Sequence, residues 1–303
     1  MADALIITLV AEGALSPGDA SAASDVVRGI GAEIVAQSWL EAGDAYDILA
    51  RGDAPTIRAA LEDALPAVDV VVQSGATPRR KKLIVADMDS TMIACECIDE
   101  LADYAGLKAE VAAITEAAMR GELDFAGALK ARVALLKGLP VATLDQCREE
   151  RVRLNPGARQ LVQTMTANGA RSLLVSGGFM PFAVPVAREI GFARVLANRL
   201  DTDGDVLAGT VPEPIVDAAA KKALLEADGT PMSAALAVGD GANDIPMIQA
   251  AMAGGGLGIA YHAKPKAAAA AQAHVRHGDL TVLLRAQGYR RADWVIRPGR
   301  ASK

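Results

Sequence analysis

The sequence is poor in aromatic residues and in cysteine. Aromatics make up 3% of its 303 residues, so Ala, Val, Leu and Ile must fill most of the core that its 51% apolar content allows. Three cysteines, Cys95, Cys97 and Cys147, cannot form a disulfide framework, which indicates a reducing compartment such as the cytoplasm. Since no second Cys/His pair has zinc-site spacing, we interpret all three as structural thiols.

The chain also lacks a basic excess and a long apolar run. Its net charge of −6 disfavours nucleic acid and anionic membrane surfaces as partners. No uninterrupted apolar stretch reaches the roughly 20 residues of a membrane span. The apolar run at 4–11 follows an acid, Asp3, and not a basic lead, so it predicts a strand and no signal peptide.

Residues 1–78 predict a small α+β domain. Apolar and turn patterns place the elements in the order β-α-β-β-α-β, the ferredoxin-like arrangement. The predicted strands are 4–11, 32–40, 45–52 and 68–75, and the predicted helices are 17–30 and 54–65. The stretch "GATPRRKK" at 75–82 then breaks the pattern and predicts a linker.

Residues 79–303 predict an α/β domain with a Rossmann-like parallel sheet and helices on both faces. Short apolar segments that alternate with helical ones are typical of that architecture, and we predict strands at 83–87, 171–177, 234–240 and 256–260. Residues 96–152 are too long for a simple crossover and predict a small helical cap inserted after the first strand. We expect a hairpin within 199–211 and a helix over the Ala-rich 264–275.

Polar residues follow three of these strands. Asp87 and Asp89 end the first, Ser176 and Gly177 end the second, and Asp240 ends the third. Asn243 and Asp244 come directly afterwards. Ligands of open α/β sheets bind outside the carboxyl ends of the strands, so these side chains should meet. Carboxylates so close would repel one another unless a cation lay between them, and oxygen ligands suit Mg²⁺.

Such a group of residues can transfer a phosphoryl group. One carboxylate can attack phosphorus and form a covalent intermediate, and a second can act as general acid and base. Taken singly, an Asp after a strand is often a helix N-cap, and "SGG" is often an ordinary turn. Their combination at three strand ends favours a phosphoryl-transfer site.

The motifs "DMDST", "SGG", a downstream lysine and "GDGAND" resemble those of the haloacid dehalogenase superfamily of Mg²⁺-dependent phosphotransferases, over about residues 81–285. The resemblance implies that Asp87 is the nucleophile and that Asp89 is the general acid/base, with its backbone carbonyl on Mg²⁺. It also implies that Asp240 is a further Mg²⁺ ligand, with Asp244 in support.

The same resemblance implies the residues that hold the phosphate. They are Ser176, Gly177, Asn243 and a lysine of "VDAAAKKALL". The spacing favours Lys221, but Lys222 is its neighbour and stays open as the alternative.

Two stretches in and just before the cap region resemble superfamily members that hydrolyse O-phospho-L-serine, the last step of serine synthesis. The stretches that carry this resemblance are "DMDSTMIACECIDELA" and "ITEAAMRGELDFAGALKARVALLKGLP". It implies that Glu96 pairs with the substrate ammonium and Arg132 with its carboxylate, while Met119 and Phe125 shield the site from water. Charged residues on helices are ordinarily solvated, so only the resemblance makes Glu96 and Arg132 candidate substrate-binding residues.

Two other functions stay open. The enzyme could act on another small phosphorylated metabolite or transfer phosphate to an acceptor such as homoserine. Alternatively, the chain could be a non-catalytic amino-acid sensor, although such a scaffold would not need Asp87, Asp89, Lys221 and Asp240 together. Since carboxylates explain the chemistry, we expect no catalytic or metal role for the histidines, His262, His274 and His277.

The N-terminal domain resembles an ACT-type domain in its element order alone. That resemblance implies serine binding or homodimer contacts for residues 1–78.

Overall fold

The computed structural model describes residues 4–119 and 122–296, which form a four-stranded sheet, a six-stranded sheet, a two-stranded hairpin and the helices around them. The strands are β1 (Ala4–Val10), β2 (Glu33–Glu41), β3 (Ala45–Arg51), β4 (Asp69–Ser74), β5 (Leu83–Ala86), β6 (Arg171–Phe179), β7 (Arg194–Asn198), β8 (Thr202–Asp203), β9 (Val206–Leu207), β10 (Ala235–Gly239), β11 (Leu257–Tyr261) and β12 (Ala273–Val275). The helices are α1 (Pro17–Gly29), α2 (Ala54–Ala64), α3 (Cys97–Tyr104), α4 (Lys108–Met119), α5 (Phe125–Leu135), α6 (Ala142–Arg151), α7 (Ala158–Ala167), α8 (Met180–Ile190), α9 (Ala218–Ala227), α10 (Ile245–Ala253), α11 (Pro265–Ala270) and α12 (Val282–Ala286).

The N-terminal sheet is antiparallel, with strand order β2-β3-β1-β4. The predicted β-α-β-β-α-β order is confirmed. Alternate residues of β1, Ile7 and Leu9, are fully buried against Val27 of α1 and Leu61 of α2. The two helices therefore cover one face of this sheet, as the period-two pattern of β1 requires.

The larger sheet is parallel, with strand order β12-β11-β10-β5-β6-β7. Ile84 of β5 packs on the side of α7 and α8, while its neighbour Val85 packs on the side of α9 and α10. Both residues are fully buried. The predicted α/β architecture with helices on both faces is confirmed, and burial on both faces explains why these strands are almost wholly apolar.

The predicted insert and hairpin are both present. In the described part of the chain, five helices lie between β5 and β6, and four of them, α3 to α6, form the cap. Strands β8 and β9 pair as a hairpin, and Gly204 in its two-residue turn has a φ of +59°. This backbone conformation favours glycine, which accounts for the Asp-Gly-Asp signal.

The helix predicted over 264–275 is wrong in its second half. Helix α11 ends at Ala270, and Ala273–Val275 instead form β12, which pairs with β11. Pairing at the edge of the sheet outweighs the helix propensity of alanine, which is a weak preference. Strand β7 was not predicted, and it forms the opposite edge of the sheet beside β6.

The two sheets share part of one core. Val10, Ala45 and Val71 of the N-terminal sheet belong to the same buried cluster as Leu284 of α12. Arg285 of α12 is fully buried, with ion pairs of 3.0 Å to Glu41 and to Asp44. The N-terminal unit therefore packs tightly against the larger domain.

Of the helices in the part of the chain that the structure describes, none has the length and apolar character needed to cross a membrane.

Candidate active site

The carboxyl ends of β5, β6 and β10 and the cap enclose a cavity of about 320 Å³. Met88, between Asp87 and Asp89, is fully buried in the core, which leaves the two carboxyl groups on the cavity side. Predicted site residues that line the cavity are Asp87, Asp89, Glu96, Phe125, Arg132, Gly177, Asp240 and Asn243. Ser176, Lys221 and Asp244 are fully buried beside them. The structure thus brings together eleven of the predicted residues.

Lys221 lies beneath this cavity and is fully buried. Its ammonium Nζ is 2.7 Å from Asp87 Oδ1 and 2.7 Å from Asp244 Oδ1. Burial lowers the pKa of Lys221, but the two carboxylates outweigh burial and raise it above the ordinary value. Lys222 instead pairs with Glu226 at the protein surface, so Lys221 is the lysine that the structure places at the site.

The two oxygens of Asp87 differ in their surroundings. Oδ1 accepts the backbone N–H of Met88 at 2.8 Å and contacts Lys221. Among the described residues, no donor bonds to Oδ2. Burial and the neighbouring Asp244 raise the pKa of Asp87, although Lys221 opposes the rise. The site therefore anchors one oxygen and leaves the other available for nucleophilic attack.

Asp89 is held on both oxygens. Its Oδ1 accepts the backbone N–H of Cys97 at 2.9 Å, and its Oδ2 accepts the Ser176 hydroxyl at 3.0 Å. Burial and the charge of Glu96 raise the pKa of Asp89, while these hydrogen bonds lower it by less. A carboxyl group whose pKa is raised retains a proton more readily near neutral pH, as a general acid must.

The glycines of "SGG" leave room for the acids and the cap. A Cβ atom on Gly178 would lie 2.6 Å from Asp89 Oδ2 and 3.0 Å from Ser176 Oγ. One on Gly177 would lie 2.9 Å from the ring of Phe125. The Gly178 N–H donates to Ser176 Oγ at 2.8 Å, so the irregular end of β6 also fixes the serine hydroxyl. Larger residues at either glycine would disturb the site.

Asp87, Asp240 and Asp244 each offer a carboxylate oxygen within 4.8 Å of the others. Asp244 Oδ2 accepts the Gly241 N–H at 3.0 Å, whereas the Asp240 carboxylate accepts no hydrogen bond from the described residues. Burial raises the pKa of Asp240 to about 6. An all-oxygen set with unused acceptor capacity fits a hard divalent cation. The carboxylate of Asp89 lies outside this cluster.

The cap side of the cavity is less tightly bonded. Glu96 Oε1 accepts the Ser90 hydroxyl at 2.9 Å. Arg132 of α5 donates from Nε to the Ala128 carbonyl at 3.3 Å and has no carboxylate within ion-pair distance among the described residues. Burial lowers the pKa of Arg132, against the opposing charges of nearby acids. A half-buried guanidinium that lines a cavity and has no ion pair among the described residues is suited to bind a carboxylate. Met119 ends α4, but its side chain lies outside the described residues.

Sequence reasoning missed two residues of this region. Lys264, directly before α11, lines the cavity, and its Nζ is 3.6 Å from Asp240 Oδ2 and 3.8 Å from Glu96 Oε1. Ser90, with a φ of +53°, turns the chain after Asp89 and bonds Glu96. Lys264 follows the fourth predicted strand, so applying the strand-end rule to that strand too would have found it.

No histidine or cysteine lines the cavity that holds the acid cluster in the described part of the chain. The His262 ring contacts the Gly278 carbonyl at 2.9 Å, and His274 accepts the Ala263 N–H at 3.3 Å. His277 lines a second cavity of about 440 Å³. Cys97 and Cys147 are buried and Cys95 is partly buried, all as free thiols.

Comparison with known proteins agrees with this geometry. Residues 84–249 match the haloacid dehalogenase-like hydrolase family. A phosphoserine phosphatase from Polaromonas sp. is 48% identical over 228 residues, which cover 71% of this chain and 94% of the relative. A solved structure of a probable phosphoserine phosphatase from Vibrio cholerae is 34% identical with a TM-score of 0.74, covering 95% of this chain and 88% of its own.

A third similar protein was solved as a phospho-aspartyl intermediate analogue of phosphoserine phosphatase. It is 36% identical with a TM-score of 0.62, and the match covers 68% of this chain and 98% of that one. The chain described here belongs to the haloacid dehalogenase-like hydrolase family. Within that family its similarity is to phosphoserine phosphatases.

Proposed function

We propose that this protein hydrolyses O-phospho-L-serine to L-serine and phosphate, the last step of serine synthesis, through a phosphorylated Asp87. One observation carries the proposal: the cavity joins a buried acid and lysine cluster to a cap-side pair, Glu96 and Arg132, of opposite charge. The first set suits a phosphate ester, and the second suits an α-amino acid. The similar proteins described above are named phosphoserine phosphatase or probable phosphoserine phosphatase.

In the first step, Asp87 Oδ2 attacks phosphorus while Lys221 and the Met88 N–H hold Oδ1. The bond from phosphorus to the serine oxygen breaks, and its electron pair stays on that oxygen. Asp89 donates its proton to the leaving oxygen. The products of this step are L-serine and an aspartyl phosphate, the species that a similar solved structure represents by an analogue.

In the second step, Asp89, now a carboxylate, takes a proton from water. The water oxygen attacks phosphorus, and the bond to Asp87 breaks. This returns Asp87 as a carboxylate and Asp89 as an acid. The raised pKa of Asp89, caused by burial and by Glu96, suits a group that must give and regain a proton.

Charge on the phosphate oxygens is balanced by the buried floor of the site. Lys221, the Ser176 hydroxyl, the Asn243 amide and the backbone N–H of Gly177 are the donors that we assign to it. Asp87, Asp240 and the Asp89 backbone carbonyl would hold Mg²⁺, with Asp244 in support. When bound, Mg²⁺ neutralises part of the negative charge of the phosphate.

The cap selects the alcohol. Arg132, which has no ion pair among the described residues, binds the substrate carboxylate by two parallel hydrogen bonds. Glu96 binds the ammonium. Phe125, whose ring would lie 2.9 Å from a Cβ atom on Gly177, and Met119 exclude water from the reacting atoms.

Phosphate release tests this proposal. We expect rapid release from O-phospho-L-serine with Mg²⁺, slower release from phosphothreonine and glucose 6-phosphate, and none with EDTA. Release from another compound alone would retain the chemistry but contradict the roles of Glu96 and Arg132. Phosphate transfer to added homoserine would indicate a phosphotransferase, and no turnover of any compound would favour an amino-acid sensor.

For residues 1–78 we propose an ACT-type role in serine binding or in a homodimer, within a cytoplasmic enzyme. The support is the βαββαβ order and the edge strand β2, where Val35 is 45% exposed. Sedimentation of the unsubstituted protein and of Val35→Lys tests the dimer contact. Serine inhibition that survives unchanged in a monomeric variant would separate the two roles.

A further inference from the structure

Lys264 is the cavity-lining cation without a role in the mechanism above. It lies between β11 and α11, where its backbone N–H donates to the Asp240 carbonyl at 3.0 Å. The backbone bond holds the residue at the rim of the site, and its side chain lines the cavity.

The ammonium of Lys264 is close to two acids that belong to different parts of the site. It lies 3.6 Å from Asp240 of the acid cluster and 3.8 Å from Glu96 of the cap. Both distances exceed a hydrogen bond, and the lysine side chain is 68% exposed. Such a long, exposed pair is weak and exchanges readily.

The same two acids bind the two cations of the proposed reaction. Asp240 is assigned to the divalent cation, and Glu96 to the substrate ammonium. A lysine within 4 Å of both must repel each of them. Lys221 does not take this role, because its ion pairs are with Asp87 and Asp244 and not with Asp240.

We propose that Lys264 is a built-in competitor of both cations, a role that rests on the function proposed above. Its ammonium neutralises Asp240 and Glu96 until the divalent cation and the substrate ammonium bind, and it turns toward solvent when they do. Lys264 thereby weakens cation binding and sets the cation concentration at which the site fills. It acts through Asp240 and Glu96 and so is a positioning residue.

The test is Mg²⁺ titration of the metal-free protein by calorimetry, without substrate. Lys264→Met keeps the aliphatic stem and removes the charge, and we expect the dissociation constant for Mg²⁺ to fall about three- to tenfold. Lys264→Arg should restore most of the original value. Lys266→Met is the matched control, because Lys266 is an exposed lysine two positions away without an ion pair among the described residues. It should change the constant less than about twofold.

The salt dependence of Mg²⁺ binding is a second measurement. It would not change if Lys264 had only a structural role. The difference between Lys264→Met and the unsubstituted protein should shrink as ionic strength rises from low to about 1 M, because the repulsion is screened. An unchanged or larger dissociation constant in Lys264→Met would overturn the proposal, as would an equal effect of Lys266→Met.

A kinetic measurement tests the contact with Glu96. At saturating Mg²⁺, Lys264→Met should lower the KM for phosphoserine relative to that for p-nitrophenyl phosphate, which has no ammonium. An unchanged ratio of the two KM values would contradict the proposed competition between Lys264 and the substrate ammonium at Glu96. Because the calorimetric experiment contains no substrate, failure of the protein to hydrolyse phosphoserine would contradict the proposed function without altering the Mg²⁺ result.

Discussion

The floor of the cavity, formed by Asp87, Lys221, Asp240 and Asp244, and its cap side, formed by Glu96, Arg132 and Lys264, hold their charges in different ways. On the floor, Lys221 is fully buried and contacts two carboxylates at 2.7 Å each. On the cap side, Lys264 is 68% exposed and its two acids lie at 3.6 and 3.8 Å. Arg132 has no ion pair among the described residues. Short buried contacts fix the groups that we assign to the phosphate, which all phosphate esters share, and the looser side, in the proposed function, adapts to the alcohol.

The largest effect is expected for Asp87→Asn, on the floor. The neutral amide is a poor nucleophile, so turnover of phosphoserine and of p-nitrophenyl phosphate should both fall by roughly 10⁴-fold or more. Rapid-quench mass spectrometry should detect a phosphorylated protein with Asp87 and none with the variant. Retained phosphorylation in Asp87→Asn would assign the nucleophile to another residue. Circular dichroism should show an unchanged fold.

A smaller loss is expected for Gly178→Ala, again on both substrates. The added Cβ would lie 2.6 Å from Asp89 Oδ2, so the acid or the end of β6 must shift. Displacement of a catalytic group by about 1 Å can cost about 100-fold in kcat/KM. Gly29→Ala, where a Cβ meets no atom within 4 Å, is the control. A loss confined to phosphoserine would place Gly178 in selection of the alcohol.

Mg²⁺ binding should depend on pH because Asp240, on the floor, binds protons as pH falls. Burial raises the pKa of Asp240 to about 6, and in the proposed site the cation would bind its carboxylate, so protons should compete with the cation as pH falls below 6. The dissociation constant should be about tenfold larger at pH 5 than at pH 7. Asp240→Asn should bind more weakly and with a flatter pH profile. A constant affinity between pH 5 and pH 7 would be inconsistent with Asp240 as a ligand.

Ion pairs that link the larger domain to the N-terminal unit also differ in burial. Substitutions in these pairs should affect stability more than catalysis. Arg285 is fully buried between Glu41 and Asp44, whereas Arg291, which also pairs with Asp44, is 57% exposed. Arg285→Leu should lower the free energy of unfolding by about 2–4 kcal/mol. Arg291→Leu should lower it by less than about 1 kcal/mol. Urea titration measures both, and equal values would show that burial does not distinguish them.

Much of the fold and of the site could be predicted, because local signals agreed with the final packing. Apolar segments that end in Asp87, Ser176 and Asp240 are buried strands, and parallel strands place their carboxyl ends at one edge. The direction of Asp87 and Asp89 was not predictable, since it depends on Met88 entering the core.

Other features depend on contacts between distant segments. Ala273 to Val275 read as helix because pairing with β11 is invisible in the local sequence. Lys264 approaches Glu96 only because the cap folds back over the sheet. The partners of Arg285, more than 240 positions earlier in the chain, are set by packing of the N-terminal sheet.

The division between floor and cap is tested most directly with Arg132→Ala. We would measure kcat/KM for phosphoserine and for p-nitrophenyl phosphate, with Lys130→Ala, an exposed residue of the same helix, as control. Loss of two charge-assisted hydrogen bonds should lower the phosphoserine value by about 100-fold and leave the other within a few-fold. Equal losses on both substrates would contradict the account, because Arg132 would then serve the phosphate chemistry and not the choice of alcohol.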